Sequence, residues 1–321
     1  MSLLHTMKAL DLLDSSFVSG ESVKAALTAA GIKAENISVK TVSGPTGKST
    51  DFVKVWFYGT EGRHAGGSAP TIGIVGRLGG IGARPGRVGI VSDADGAVSA
   101  LAIAMKLGDM AQKGDMLKGD VFVSTHICPT APTKPHDPVP FMGSPINMTI
   151  ANREEMSEDL DAVLSIDTTR GNRVINHRGF AISPTIKEGW ILRTSEDLLE
   201  IMTYTTGKSP VVFPITMQDI TPYGNGVYHL NSVLQPCTAT KAPVVGIALT
   251  AETMVPGCGT GASQPIDIEG AVRYAIEVAK AFGEGKCSFY CKDDFDTCVK
   301  RYGEMTRLQG MGDLPPADPD A

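Results

Sequence analysis

The stretch Thr71-Ile72-Gly73-Ile74-Val75-Gly76 decides the fold. It is short, apolar and rich in β-branched residues, a pattern typical of a buried strand. An alanine-rich segment with helical spacing follows at 97–113, and a second apolar run covers 120–124. Strand, helix and strand predict a parallel βαβ unit with a right-handed crossover. Because strands and helices keep alternating as far as residue 282, we predict an α/β three-layer sandwich with a mostly parallel central sheet.

Composition excludes several classes of function. The net charge of −6 leaves no basic face for a phosphate backbone, so we expect no nucleic-acid partner. The sequence contains no apolar run of the roughly 20 residues that a membrane helix needs. Six cysteines in a chain of 321 residues do not indicate a disulfide framework, so we expect a reducing, cytoplasmic location.

The same patterns predict the domain organisation. We expect a single α/β domain over 1–303, with N-terminal helices and a hairpin at 4–58 and the core at 70–282. The turn of that hairpin, 43–50, imitates a nucleotide-binding P-loop. However, Val42 stands where the motif needs glycine, so we expect a plain turn and no nucleotide. Residues 304–321 are rich in proline, aspartate and glycine and are predicted to be a flexible tail.

Polar residues follow the predicted strands at the edge where parallel sheets bind ligands. Asp93 and Asp95 precede the helix at 97–113, His126 and Cys128 follow the second strand, and Asp167 follows a third, at 162–166. The two aspartates before the helix could instead cap it, since Asp at a helix N-terminus contributes about 0.5–2 kcal/mol.

A proline-rich loop brings His126 and Cys128 close in sequence to His136 and Asp137. Imidazole and thiolate donors this dense can hold zinc or another transition metal. In the alternative reading the two histidines bond the loop backbone.

Arginines and glycines alternate just after the first strand, at Arg77, Arg84 and Arg87. Guanidinium groups bind carboxylate or phosphate through two hydrogen bonds, so Arg77 or Arg84 could hold an anionic substrate. A solvated loop with structural salt bridges explains the pattern equally well.

Five segments carry a family resemblance: APTIGIVGRLGGIGARP (69–85), VSDADGAVSALAIAMKL (91–107), THICPTAPTKPHDPVPFMGSP (125–145), NHRGFAISPTIKEG (176–189) and DITPYGNGVYHLNS (219–232). They resemble the bacterial and archaeal family known as domain of unknown function 1177, over about residues 5–295. That family name implies no activity.

The order of elements is also similar to the two-metal exopeptidase and aminopeptidase superfamily, which implies a phosphorylase/hydrolase-like fold. The resemblance places Asp93 at the bridging metal ligand, His126 near the usual glutamate pair and Asp167 at the next carboxylate. It also places Asn225 and His229 in a substrate and dimer loop, although Asn225-Gly226 alone indicates a β-turn. A homo-oligomer is implied as well.

The departures from that superfamily predict a remodelled site. No histidine follows the first strand, no glutamate pair stands near residue 126, and no histidine precedes the last helix. We therefore expect one divalent ion (zinc, manganese or magnesium) held by Asp93, His126, Cys128 and Asp167. The predicted catalytic residues are Asp93, Asp95 and Asp167.

Two functions follow from these expectations. The first is a hydrolase that cleaves amide bonds of small peptides or amino-acid derivatives, with a metal-bound water as the nucleophile. The second is a metal-free protein on the same fold that binds a small anionic metabolite.

Overall fold

The computed structural model describes residues 1–215, 227 and 230–309, and its helices and strands alternate as predicted. The helices are α1 (Ser2–Asp14), α2 (Gly20–Ala29), α3 (Asp95–Gln112), α4 (Met148–Glu155), α5 (Glu196–Thr206), α6 (Pro265–Gly283) and α7 (Lys292–Tyr302). The strands are β1 (Ile37–Ser43), β2 (Ser49–Phe57), β3 (Ile72–Gly76), β4 (Val121–Ile127), β5 (Thr133–Lys134), β6 (Phe141–Met142), β7 (Ala162–Thr168), β8 (Gly179–Ile182), β9 (Thr185–Lys187), β10 (Trp190–Leu192) and β11 (Val244–Thr250). A 3₁₀ segment, Ser232–Thr238, also packs on the sheet.

Four parallel strands form the centre of the sheet, in the order β4, β3, β7 and β11. The hairpin β1–β2 adds antiparallel strands beside β4, and β8, β9 and β10 extend the other side in antiparallel pairing around β11. Within the described residues these nine strands make one sheet. The predicted α/β class with a parallel core is therefore confirmed, with antiparallel strands on both flanks.

Helices cover both faces of this sheet. Side chains that alternate along a strand point to opposite faces, so Ile74 and its neighbour Val75 enter different cores. Ile74 packs in the core that includes Leu101 of α3, and Val75 in the core that includes Leu234 of the 3₁₀ segment. Burying one such side chain stabilises the fold by about 1.5–3 kcal/mol, which fixes the three layers.

The register of the central strands positions the candidate site. Gly76 at the end of β3 pairs with Thr125 on one side and with Ile166 on the other. The residues that follow these three in sequence therefore lie at the same carboxyl edge of the sheet. They are Arg77, His126 and Asp167. Asp93, His126 and Asp167 are the residues predicted to converge at this edge, and the strand register agrees with that prediction for His126 and Asp167.

The N-terminal hairpin and the C-terminal segment both contact the rest of the chain. The turn between β1 and β2 is closed by a hydrogen bond from the Gly44 amide to the Lys48 carbonyl. Thr306–Gln309, part of the predicted flexible tail, instead form a 3₁₀ helix in which Gln309 donates to the carbonyls of Cys237 and Thr240. The flexible tail stays a prediction, and 310–321 lie outside the described part. Within the described residues, no helix has the length and apolarity needed to cross a membrane.

Candidate functional site

A cavity of about 910 Å³ opens at the carboxyl edge of the sheet. Its walls are the β1–β2 turn, the loop that carries β5 and β6, and the residues leading into α4. Asp93, His126 and Cys128, three of the predicted site residues, line this cavity. A volume of this size is typical of a small-molecule site.

Asp93 is held at the cavity wall by its own backbone and by two glycines. Its amide donates to the Gly257 carbonyl at 2.9 Å, and the side chain is only 7% exposed. A Cβ atom on Gly80 would stand 2.6 Å from Oδ2 of Asp93, and one on Gly257 would stand 3.4 Å from Oδ1. The two glycines thus let the main chain enclose the carboxyl group closely.

Burial and a second acid control the charge of Asp93. Its pKa is raised well above the ordinary value, first by burial, then by Asp167 and by Asp95. Asp167 is fully buried, and its Oδ2 accepts a hydrogen bond of 3.0 Å from the Ser232 hydroxyl. Two buried carboxyl groups that repel each other hold a proton more tightly than either would alone. Asp93 and Asp167 therefore form a coupled acid pair, whereas their predicted roles as metal ligands stay predictions.

The helix-capping alternative for Asp93 and Asp95 is wrong. Ala94 occupies the N-cap of α3, with no side-chain capping hydrogen bond. Asp95 instead makes a fully buried ion pair, with its Oδ2 at 2.9 Å from Nη2 of Arg170. Burial raises the pKa of Asp95 to about 6, and Arg170 opposes that rise.

The partner of Asp95 also holds the glycine-rich loop before α6. Arg170 donates from Nη1 to the Ala262 carbonyl, and its own carbonyl accepts from the amide of Val255. Asp95 does not line the cavity. Its geometry supports an anchoring role for that loop in place of the predicted catalytic one.

His126 uses both ring nitrogens within the protein. Nε2 accepts the Gly79 amide at 3.0 Å, and Nδ1 lies 2.9 Å from the Thr50 hydroxyl, which itself donates to the Ile127 carbonyl. This chain of donors assigns the ring proton to Nδ1. Burial and nearby Arg77 lower the pKa of His126 to about 3, so the ring is neutral. The predicted ligand role has no support here, and the backbone-bonding alternative fits the geometry.

Cys128 contributes a protonated thiol to the cavity wall. It packs in a small apolar cluster with Val91, Met142 and Cys258, and burial raises the pKa of its thiol to about 11. Within the described part of the chain, no group of three or more His, Cys, Asp or Glu side chains could hold a metal ion. Catalytic zinc sites use three protein ligands, so these residues do not fit such a centre.

The two arginines predicted to bind substrate are committed elsewhere. Arg77 is fully buried, with Nη1 3.0 Å from Oε2 of Glu155 and 2.5 Å from Oδ1 of Asn152. Arg84 donates to the carbonyl of Asp14 at the end of α1. Neither arginine lines this cavity. The structural salt-bridge alternative fits Arg77, and substrate binding by Arg84 stays a prediction. Asn225 and His229 lie outside the described residues.

Some site residues escaped sequence reasoning. Glu155 ends α4 and neutralises Arg77 across the sheet edge, a contact that no local pattern signals. Lys48 and Lys134 line the cavity from the β1–β2 turn and from β5. Leu78, also in the wall, has a φ of 53°, a left-handed conformation that side chains other than glycine rarely adopt. Such backbone strain clusters at ligand sites, but it cannot be read from sequence.

We expect that Gly80→Ala will disturb the site because the added methyl would overlap Oδ2 of Asp93. The expected loss of unfolding free energy is about 1–3 kcal/mol, the usual cost of overpacking. Gly86→Ala in the same loop is the matched control, since its Cβ would meet only the Ala83 carbonyl at 3.4 Å. Urea unfolding of both variants measures the difference. Equal stability of the two variants would contradict the tight enclosure of Asp93.

Comparison with solved structures finds matches at low identity, each with a TM-score below 0.5. Glutaminyl cyclase of Porphyromonas gingivalis gives a TM-score of 0.48 at 8% identity, over 89% of this chain and 97% of that one. Cytosol aminopeptidase of Coxiella burnetii gives 0.45 at 12%, over 84% and 67%. A dinuclear metal binding peptidase of the M20 family from Bacillus subtilis gives 0.45 at 9%, over 88% and 98%. Similarity at this level says nothing about the activity of this chain.

Sequence comparison is more specific. No curated protein matches the chain significantly. Residues 40–312, most of the chain, match the family described as "Protein of unknown function (DUF1177)". The match includes the cavity walls, Asp93 and Asp167. The chain belongs to this family of unknown function.

Proposed function

We propose that the protein is a hydrolase that cleaves an amide bond in a small peptide or amino-acid derivative, with Asp93 as its proton-transfer group. One observation carries the proposal: a buried carboxyl group with a raised pKa, coupled to Asp167, stands at the wall of a cavity of about 910 Å³. Perturbed acids in clefts mark functional sites more often than structural ones.

The chemistry needs one group that both accepts and returns a proton. A water molecule adds to the amide carbonyl carbon while the ionised Asp93 carboxylate accepts its proton. The C–N bond then breaks, and protonated Asp93 gives that proton to the leaving nitrogen. A carboxyl group with a pKa closer to neutrality performs both steps better than an ordinary aspartate. Asp167 stays buried behind it and keeps the proton affinity of Asp93 high.

The predicted divalent ion stays a prediction. The His, Cys, Asp and Glu side chains of the described residues do not fit a zinc centre, and the proposed proton transfers need no metal. Two neighbouring carboxylates suit at most a hard ion such as Mg²⁺, which keeps water in its remaining positions. Metal analysis and metal addition therefore belong in the functional test.

A second candidate is a metal-free binding protein for a small anionic metabolite. It is favoured by the commitment of His126 and Arg77 to hydrogen bonds and an ion pair inside the protein. Under this reading the cavity binds its ligand and Asp93 carries out no reaction.

The test is release of free amine from a panel of N-acetyl amino acids and dipeptides. The protein is dialysed against a chelator and assayed alone and with added zinc, manganese or magnesium. We expect release by the unaltered protein and at least a ~100-fold loss in Asp93→Asn, the typical effect of removing a general acid–base group. Asp11→Asn on the exposed side of α1 is the matched control. Binding of these compounds without release under any metal condition would favour the binding protein.

A further inference from the structure

The cavity has an acidic residue inside and basic residues at its opening. Asp93 is its single acidic lining residue among those described, and it lies deep and largely buried. Lys48 and Lys134 line the same cavity but are exposed at its mouth. The rim is thus positive in a chain whose net charge is −6, so the local charge is opposite to that of the molecule.

Two chain segments in contact carry the lysines. Lys48 closes the β1–β2 turn, where the Gly44 amide donates to its carbonyl at 2.8 Å. That turn packs directly on the loop entering α4, since a Cβ on Gly44 would stand only 1.6 Å from the Pro145 carbonyl oxygen. Lys134 lies on β5 opposite Phe141, and its Cε atom would be 3.1 Å from a Cβ on Gly143. The backbone at both lysines is therefore held at the mouth by contacts within the protein.

Lys48 and Lys134 differ from other surface lysines in their ion pairing. Within the described part of the chain, neither makes an ion pair, in contrast with Lys40, Lys113 and Lys118, each of which has a carboxylate partner. Burial dominates the pKa of the Cys128 thiol; Lys48 lowers this pKa, and Asp93 and Asp51 raise it, so the Lys48 ammonium lies near the cavity together with these two acids. His136, in the same wall, has a buried Nδ1 atom without a hydrogen-bond partner.

We infer that the cavity takes a molecule with a free carboxylate, which Lys48 and Lys134 bind at the mouth while its uncharged end faces Asp93. This inference rests on the proposed function only in placing the small molecule in this cavity. Burial disfavours an anion beside Asp93, and the rim attracts one, so the two ends of the cavity select one orientation. Arg77 and Arg84, the cations that the sequence singled out, take no part.

The test compares N-acetylglycylglycine with its C-terminal amide, which differs in charge and hardly in shape. Calorimetry measures binding of both to the unaltered protein, to Lys48→Gln/Lys134→Gln and to Lys208→Gln, an exposed lysine outside the cavity. We expect the acid to bind about tenfold more tightly than the amide, from two partly exposed charge pairs. The double variant should lose that preference and Lys208→Gln should keep it.

Equal binding of acid and amide, an unaffected double variant, or no binding of either at millimolar concentration would overturn the inference. The same binding titrations on Asp93→Asn test the carboxylate preference without hydrolysis, so the inference and the proposed hydrolysis can fail separately. Carboxylate-selective binding without amine release by the unaltered protein would refute the hydrolase and leave the inference standing. Amine release with no preference for the acid would do the reverse.

Discussion

Asp93→Asn is expected to stabilise the folded protein at pH 8 and to change its stability little at pH 4. The folded state raises the pKa of Asp93 above its ordinary value of 3.8, so the folded protein binds the proton more tightly than the unfolded chain. Below 3.8 the group is protonated in both states. As the pH rises toward the folded-state pKa, the unfolded chain ionises first, and the native protein loses stability. Asparagine keeps the shape and removes that penalty.

The expected gain at pH 8 is about 1–3 kcal/mol, the usual cost of a buried polar group without full compensation. Urea unfolding at both pH values measures it, and Asp11→Asn should show no such difference. Loss of amine release together with higher stability is the signature of a strained catalytic group. A variant that is less stable at pH 8 than the unaltered protein would show that the carboxylate is neutralised in the native state.

Arg77→Met is expected to have the largest effect on folding. Arg77 and Glu155 are both fully buried, and their charged atoms lie 3.0 Å apart. Removing one partner of a buried pair typically costs about 3–5 kcal/mol, because the other charge stays behind. Burial already raises the pKa of Glu155 to about 7 while Arg77 opposes the rise, so losing Arg77 raises it further. Since the native protein ionises Glu155 near pH 7 and the variant only above it, the deficit should grow as the pH rises above about 7.

The double variant Arg77→Met/Glu155→Met provides the control. With both charges replaced by apolar side chains of similar length, most of the lost stability should return, as often happens for buried ion pairs. Unfolding free energies of the two single variants and the double variant complete the cycle. A double variant as unstable as Arg77→Met would mean that packing of the guanidinium, and not its charge, holds this edge of the sheet.

The α/β fold could be predicted from the sequence because the patterns that indicate its strands and helices are local. The run at 71–76, the alanine-rich helix and the run at 120–124 each depend on neighbours within one element, and together they require a parallel core. Asp93 and Asp167 could also be found, since acids that follow buried strands reach the edge where such sheets bind ligands.

The roles of the remaining residues depend on contacts between distant segments. Asp95 reads like Asp93 in sequence, and only the approach of Arg170 makes it part of an ion pair. Arg77 looked free among glycines until α4 brought Glu155 against it. His126 could not be assigned from its position, since the Thr50 hydroxyl and the Gly79 amide that occupy its nitrogens come from other strands and loops. Lys48 and Lys134 reach one cavity from the β1–β2 turn and from β5, two segments that are far apart in sequence.

Titration of the Asp93 carboxyl carbon by NMR tests the central claim most directly, because it needs no substrate. Aspartate labelled with ¹³C at the carboxyl carbon gives the signal, and Asp93→Asn identifies it. We predict that Asp93 titrates well above 3.8 and that its midpoint falls in Asp167→Asn, where one of the two neighbouring charges is gone. A midpoint at or below 3.8 in the unaltered protein would contradict a coupled acid pair at the cavity wall.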